Sequence, residues 1–185
     1  MVAFTLKDNS NTERTLVIAA DEAIRLDAPL LVATTGGDTA VAASRLAKEK
    51  GIAERLIIVS HAFGTRTPGV NAMKEECKSE LEAARVRIIT AAHVLSGAER
   101  AMSTKFNGVY PVEIIAHTLR MFSQGVKVAV EIAAMALDAG VIPYGEPVVA
   151  VGGTGRGADT ATVLTPAYTS DIFATKIHEI LCKPY

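Results

Sequence analysis

Two stretches of this 185-residue sequence place glycines directly after an apolar run and before Asp-Thr-Ala: "LVATTGGDTA" at 31–40 and "VAVGGTGRGADTA" at 149–161. Glycine lets a ligand approach the backbone closely. A helix that begins at such a loop also offers free N–H groups and the positive end of its dipole, which is the local chemistry of phosphate binding. In the first loop, Gly36 and Gly37 would admit the ligand and Thr34, Thr35 and Thr39 would supply hydroxyls. Asp38 would repel a phosphate, so it is expected to cap the helix and point away. In the second loop, glycines 152, 153, 155 and 157 fall within six residues, and Arg156 can pin a phosphate or carboxylate through charged hydrogen bonds. Asp159 and Thr160 close that loop. Neither stretch fits the Walker pattern or GxGxxG. A tight turn before a capped helix, and a flexible turn with an exposed arginine, would use the same residues.

His61 and His93 each follow an apolar run, which puts both at the carboxyl edge of the expected sheet. Each can act as an acid, a base or a hydrogen-bond donor, or simply hold a loop together. His117 and His178 fall within expected helices and read as structural. Glu131 lies in an apolar helix with Lys127 four residues before it, so this pair poses a packing question first. Arg100 and Lys105 could add positive charge to a pocket, though surface solvation is the default reading for each. The sequence has no HExxH, no CxxC and no defensible Ser-His-Asp order, so no reaction class is legible in its motifs.

The elements that must position these groups alternate. A capping box at Ser10–Glu13 predicts a helix to Leu26. Strands are expected at 30–35, 55–60, 86–92 and 147–153, separated by helices at 38–51 and 71–85. A short helix is expected at 97–103. Pro111 should start a longer one, weak at Ser123–Gly125 and ending near Asp138. Its second half is apolar nearly all round and should be covered on most sides. A fifth strand at 160–166 follows the fourth too closely for a parallel crossover, so it should be antiparallel. The tail "SDIFATKIHEILCKPY" reads as a last helix. Strands alternating with helices imply a layered α/β fold, here one domain over 1–185 with no linker.

Composition narrows the function classes. Half the residues are hydrophobic (49%), few are aromatic (5%), and the formal net charge is −1. Nothing in this balance favours nucleic acid. The most apolar stretch, 126–142, is interrupted by Lys127, Glu131 and Asp138, so no membrane span is expected. The N-terminus has no signal-peptide order. Cys77 and Cys182 lack metal spacing and read as inert thiols of a cytoplasmic protein.

The order strand, "TTGGDTA", helix, strand, "SHAFGTRTPG" resembles the C-terminal domain of pyruvate kinase. "HVLSGAERAMSTKFNG", "GGTGRGADTATVLTPA" and "KIHEILCKP" resemble the stand-alone pyruvate kinase C-terminal-domain-like proteins of archaea and some bacteria. The resemblance implies a three-layer α/β/α domain with a mixed five-stranded sheet of order 3-2-1-4-5, strand five antiparallel. It implies no pyruvate kinase barrel, and hence no pyruvate kinase activity. It also implies flavin mononucleotide (FMN) as the small phosphorylated ligand, in a crevice between the first and fourth strands. Gly153, Gly155, Arg156 and Gly157, with Thr34, Thr35 and Thr154, would hold its phosphate, while His61, Phe63, Gly64 and His93 would line the ring side. Asp38 departs from the pyruvate kinase loop, which leaves backbone contacts there. A non-catalytic effector-sensing or assembly module, with small-residue helix faces that admit a homo-oligomer, is the alternative. A hydrolase or isomerase for a phosphorylated metabolite, using His61 or His93, is a third.

Overall fold

In the strands at the centre of this protein, consecutive residues are apolar, as expected where both faces of a sheet are covered. The computed structural model describes residues 1–5 and 9–185. In chain order the elements are β1 (Val2–Phe4), α1 (Thr12–Leu26), β2 (Leu30–Thr34), α2 (Asp38–Glu49), β3 (Leu56–Ser60), α3 (Glu75–Ala83) and β4 (Arg87–Thr90). There follow α4 (Gly97–Phe106), α5 (Pro111–Arg120), α6 (Gln124–Asp138), β5 (Val148–Gly152), β6 (Thr160–Thr165) and β7 (Lys176–Pro184). The strands form one sheet of order β1-β7-β6-β5-β2-β3-β4.

The expected order 3-2-1-4-5 is present as β4-β3-β2-β5-β6, with β6 antiparallel to β5. The sheet does not stop at five strands. The tail expected as a helix is β7, antiparallel to β6, and β1 pairs with β7 in parallel. Local pattern pointed to a helix; the unpaired edge of β6 overrides it, because an extended chain satisfies the backbone groups that a helix would leave open. Register shifts beside Ala161/Thr162 and Val163/Leu164 bend this pairing. The capping box is also displaced. Helix α1 starts at Thr12 behind Asn11, and Ser10 lies in the preceding 3-10 turn.

Alternation along the strands divides the core. Leu30, Val32, Leu56, Ile58, Val149 and Val151 pack with α1, α2 and α3. Leu31, Ile57, Val59, Val148 and Ala150 pack with α6 on the other face. Burying each large aliphatic side chain contributes roughly 1.5–3 kcal/mol. Helix α6 is buried on almost every side, as expected, because α5 and the Leu95 segment cover its outer face through Ala116, Leu95 and Val130. The helix from Pro111 breaks after Arg120, and α6 starts at Gln124 behind its N-cap Ser123, whose Oγ accepts from the Val126 N–H at 3.0 Å.

Candidate functional site

Strands β2 and β5 are parallel neighbours, and the strand order reverses between them. In such sheets a crevice opens beyond the carboxyl ends at the reversal. Here it has a volume of about 1020 Å³ and is lined from both helix layers and from the β5–β6 loop.

The first glycine loop shapes one wall. Gly37 is the N-cap of α2 at φ 103°, and a Cβ there would sit 2.4 Å from the Cys77 Cβ. Both conformation and space therefore require glycine. The Gly37 N–H donates to Thr34 Oγ1 at 3.1 Å, so the threonine closes the turn as an acceptor and keeps its own O–H to donate. Asp38 does not cap the helix, contrary to expectation; it is the first helical residue, and its carboxylate binds Lys74 Nζ at 2.7 Å. That hydrogen bond, with the charge behind it, raises the Lys74 pKa above its ordinary value. Both groups line the crevice, so the negative charge of Asp38 is answered locally.

The second loop is braced from behind. Asp159 is buried; its Oδ2 accepts from the Thr154 N–H at 3.0 Å and its Oδ1 from Thr160 Oγ1 at 2.8 Å. Thr160 Oγ1 also meets Ser123 Oγ at 3.1 Å, tying the loop to the start of α6. From α1, Thr12 Oγ1 accepts from the Ala158 N–H at 3.0 Å. The loop folds tightly on itself, since a Cβ on Gly153 would lie 2.2 Å from the Gly157 carbonyl oxygen. Bracing leaves Arg156 exposed at the tip, facing the crevice.

Of the residues singled out in the sequence, Thr34, Thr35, Gly36, Asp38, Thr39, His61, His93, Gly153, Gly155, Arg156 and Gly157 line the crevice together. Gly37, Asp159 and Thr160 stand behind it as supports, with Thr154 at the loop tip. Phe63 is exposed on its loop, and neither it nor Gly64 lines the crevice.

The floor carries a polar chain. Lys127 Nζ lies 2.5 Å from Glu131 Oε2, and both side chains are about 95% buried, at 5% and 4% exposure. Glu131 Oε1 accepts from the Leu95 N–H at 3.0 Å. His93 Nδ1 lies 3.9 Å from Glu131 Oε2, and the His93 ring stands 4.5 Å from that of His61. The Ala62 N–H reaches His93 Nε2 at 3.4 Å, which assigns the neutral ring's proton to Nδ1, facing the carboxylate. Burial pushes the His93 pKa below its ordinary value, partly opposed by Glu131. Burial likewise lowers the Lys127 pKa, against the opposing charge of Glu131. His61 Nδ1 is buried with no hydrogen-bond partner among the described residues.

Sequence reasoning missed the cations contributed by α5 and the loop after β3, and ranked Arg100 of α4 as a pocket charge below solvated surface. Arg66, Arg100 and Arg120 line the crevice with Arg156, and among the described residues none of the four has a carboxylate partner. Elsewhere, Arg25, Arg45 and Arg55 are paired with Glu22, Glu80 and Asp27, while Arg87 donates to the Val141 carbonyl and Arg14 stands over the Phe4 ring. No local motif marks Arg100 or Arg120, because their convergence depends on how α4 and α5 fold over α6. Among the described residues no group of three metal-ligating side chains occurs, and no helix is long and apolar enough to cross a membrane.

A family model described as "Pyruvate kinase, alpha/beta domain" matches residues 13–164. The match runs from the first turn of α1 to β6, and leaves β1 and β7 outside it. It covers the crevice and both glycine loops, and the chain belongs to the pyruvate kinase alpha/beta domain family.

Proposed function

We propose that the crevice binds an organic phosphate, and that flavin mononucleotide is that ligand in a cytoplasmic protein. The observation that carries the anion is the convergence of Arg66, Arg100, Arg120 and Arg156, none of them paired to a carboxylate among the described residues. Unpaired guanidiniums gathered in one concave site favour an oxyanion, which they bind through charged, often bidentate hydrogen bonds. The flavin comes from the family resemblance, and the residues present fit it. Arg156 with the backbone of Gly153, Gly155 and Gly157 would hold the phosphate. Ala33, Val59, Val128, Ile132 and Met135 line the crevice and offer an apolar surface to a planar ring. His61, whose buried Nδ1 lacks a partner, offers a polar group beside them. When bound, a flavin supplies redox chemistry that no side chain here provides. The chain's own part is to hold the phosphate, place the ring against the apolar floor and keep the buried Lys127–Glu131 pair away from water.

Purified protein, as isolated or after addition of flavin mononucleotide, should be yellow with the flavin visible band. Arg156→Ala should weaken the affinity about tenfold or more, as expected for the loss of one charged hydrogen-bonding group. A protein that takes up no flavin, or binds it equally well as Arg156→Ala, contradicts this reading. Family membership favours a second one, a non-catalytic effector-sensing module. It predicts that bound flavin, once reduced, is reoxidised no faster by any of a broad panel of acceptors than by buffer.

A further inference from the structure

The parts of the crevice lining are not equally fixed. The β5–β6 loop is braced by Asp159 and Thr12, and the first glycine loop is closed on the Thr34 hydroxyl oxygen. The segment between β3 and α3, residues 61–74, is held only at its two ends. At the first end, the His61 N–H donates to the Thr34 carbonyl at 3.0 Å and the Ala62 N–H to His93 Nε2 at 3.4 Å. At the second, the Lys74 N–H donates to the Gly36 carbonyl at 3.0 Å, and Met73 is buried in the core. Thr34, Gly36, His61, Lys74 and His93 all line the crevice, so both roots of this arch stand on the site itself.

Between the roots, the chain is bonded to itself. Thr65 Oγ1 donates to the Ala62 carbonyl at 2.6 Å, the Gly64 N–H to the Val70 carbonyl at 3.1 Å, and the Val70 N–H to the Thr67 carbonyl at 3.1 Å. Among the described residues, 63–70 make no hydrogen bond or ion pair outside 62–70. Phe63 and Val70 are 61% and 53% exposed, so neither apolar side chain ties the loop to the core. Gly69, at φ 76° with no atom within 4 Å of a Cβ position, lets the backbone swing there. A unit that is compact within itself and joined to the body only at its ends can move as a flap at low cost.

The tip of this flap carries Arg66, which is exposed, lines the crevice and has no carboxylate partner among the described residues. The other crevice arginines stand on fixed elements. Arg120 donates from Nε to Gln124 Oε1 at 2.7 Å, Arg100 belongs to α4, and Arg156 sits on the braced β5–β6 loop. Arg66 is thus the crevice cation on a segment that can travel. An anion in the crevice attracts it, and the charged hydrogen bonds it gains offset the ordering of the loop.

We propose that residues 62–72 form a lid, which Arg66 draws shut over the anionic ligand of the crevice. Closure shields the ligand from water and slows its release. The inference rests on the crevice binding an anion, but not on that anion being a flavin.

Hydrogen exchange of the full chain, read by mass spectrometry with inorganic phosphate or flavin mononucleotide, tests it, with isothermal titration to fix the occupancy. A saturating ligand should slow exchange across 63–70 about tenfold or more, as a closed state about ten times as populated as the open one requires. Trypsin cleavage after Arg66 should slow with the same dependence on ligand. Arg66→Gln should bind phosphate about tenfold more weakly. Once that variant is saturated, its loop should still exchange as in the ligand-free protein. A ligand that binds without slowing the loop overturns the lid, while the anion reading stands. Loop protection in saturated Arg66→Gln equal to that of wild type also overturns the proposal, since Arg66 would not be what closes it. Protection by phosphate in a protein that takes up no flavin supports the lid and removes the flavin. A chain that binds neither ligand overturns the anion reading and the lid with it.

Discussion

Lys127 and Glu131 form an ion pair almost out of contact with water, and the carboxylate also carries the Leu95 N–H. Removing one partner of such a pair leaves the other buried and uncompensated. Glu131→Ala should therefore lower the unfolding free energy by roughly 3–5 kcal/mol in urea titration. Lys127→Met added to that variant should recover part of the loss, because it removes the stranded charge. His93 makes a separate, pH-dependent contribution. Burial lowers its pKa from 6.5, with further lowering by His61, Lys127 and Arg100 and opposition from Glu131. The unfolded chain therefore takes up the proton first as pH falls. The stability His93 contributes is complete above about 6.5 and is lost as pH falls through its lower folded value. Urea unfolding at stepwise lower pH should show wild type losing stability more steeply than His93→Gln; parallel slopes would refute this.

The elements meet at the site with little clearance. A Cβ on Gly125, in the first turn of α6, would lie 2.2 Å from Thr160 Oγ1 and 2.3 Å from Thr160 Cβ. Thr160 begins β6 and is joined to Asp159, the brace of the glycine loop. Gly125→Ala should force α6 away from β6, costing about 1–3 kcal/mol in chemical denaturation. Because the same shift disturbs the brace, it should weaken phosphate binding too. Wild-type stability in this variant would show that α6 moves freely against the loop. The β5–β6 hairpin and its glycine-rich turn were legible in sequence, since close spacing forces an antiparallel partner. The role of Asp38 was not. Sequence shows an aspartate at a helix start, but Lys74, which claims its carboxylate, arrives from the loop before α3.

At the scale of the whole molecule, β7 covers the open edge of β6 and carries β1 on its far side. Leu181 and Cys182 are buried there beside Val163 and Ala161. A chain ended after residue 168 should expose that edge and associate through it, giving aggregates on size exclusion and a lowered urea midpoint. A monodisperse, equally stable truncated chain would refute a stabilising role for β7. The amino-acid sequence by itself determined the alternation of strands and helices, the antiparallel turn after the fourth strand and the two glycine loops. Each of these is dictated by neighbours within a few residues: apolar period, glycine, proline and loop length. Only the tertiary structure decided that the tail is a strand, since the hydrogen bonds that choose it belong to β6. It alone also brought Arg66, Arg100, Arg120 and Arg156 to one crevice, because charges from four separate segments converge only when the layers pack around a single sheet.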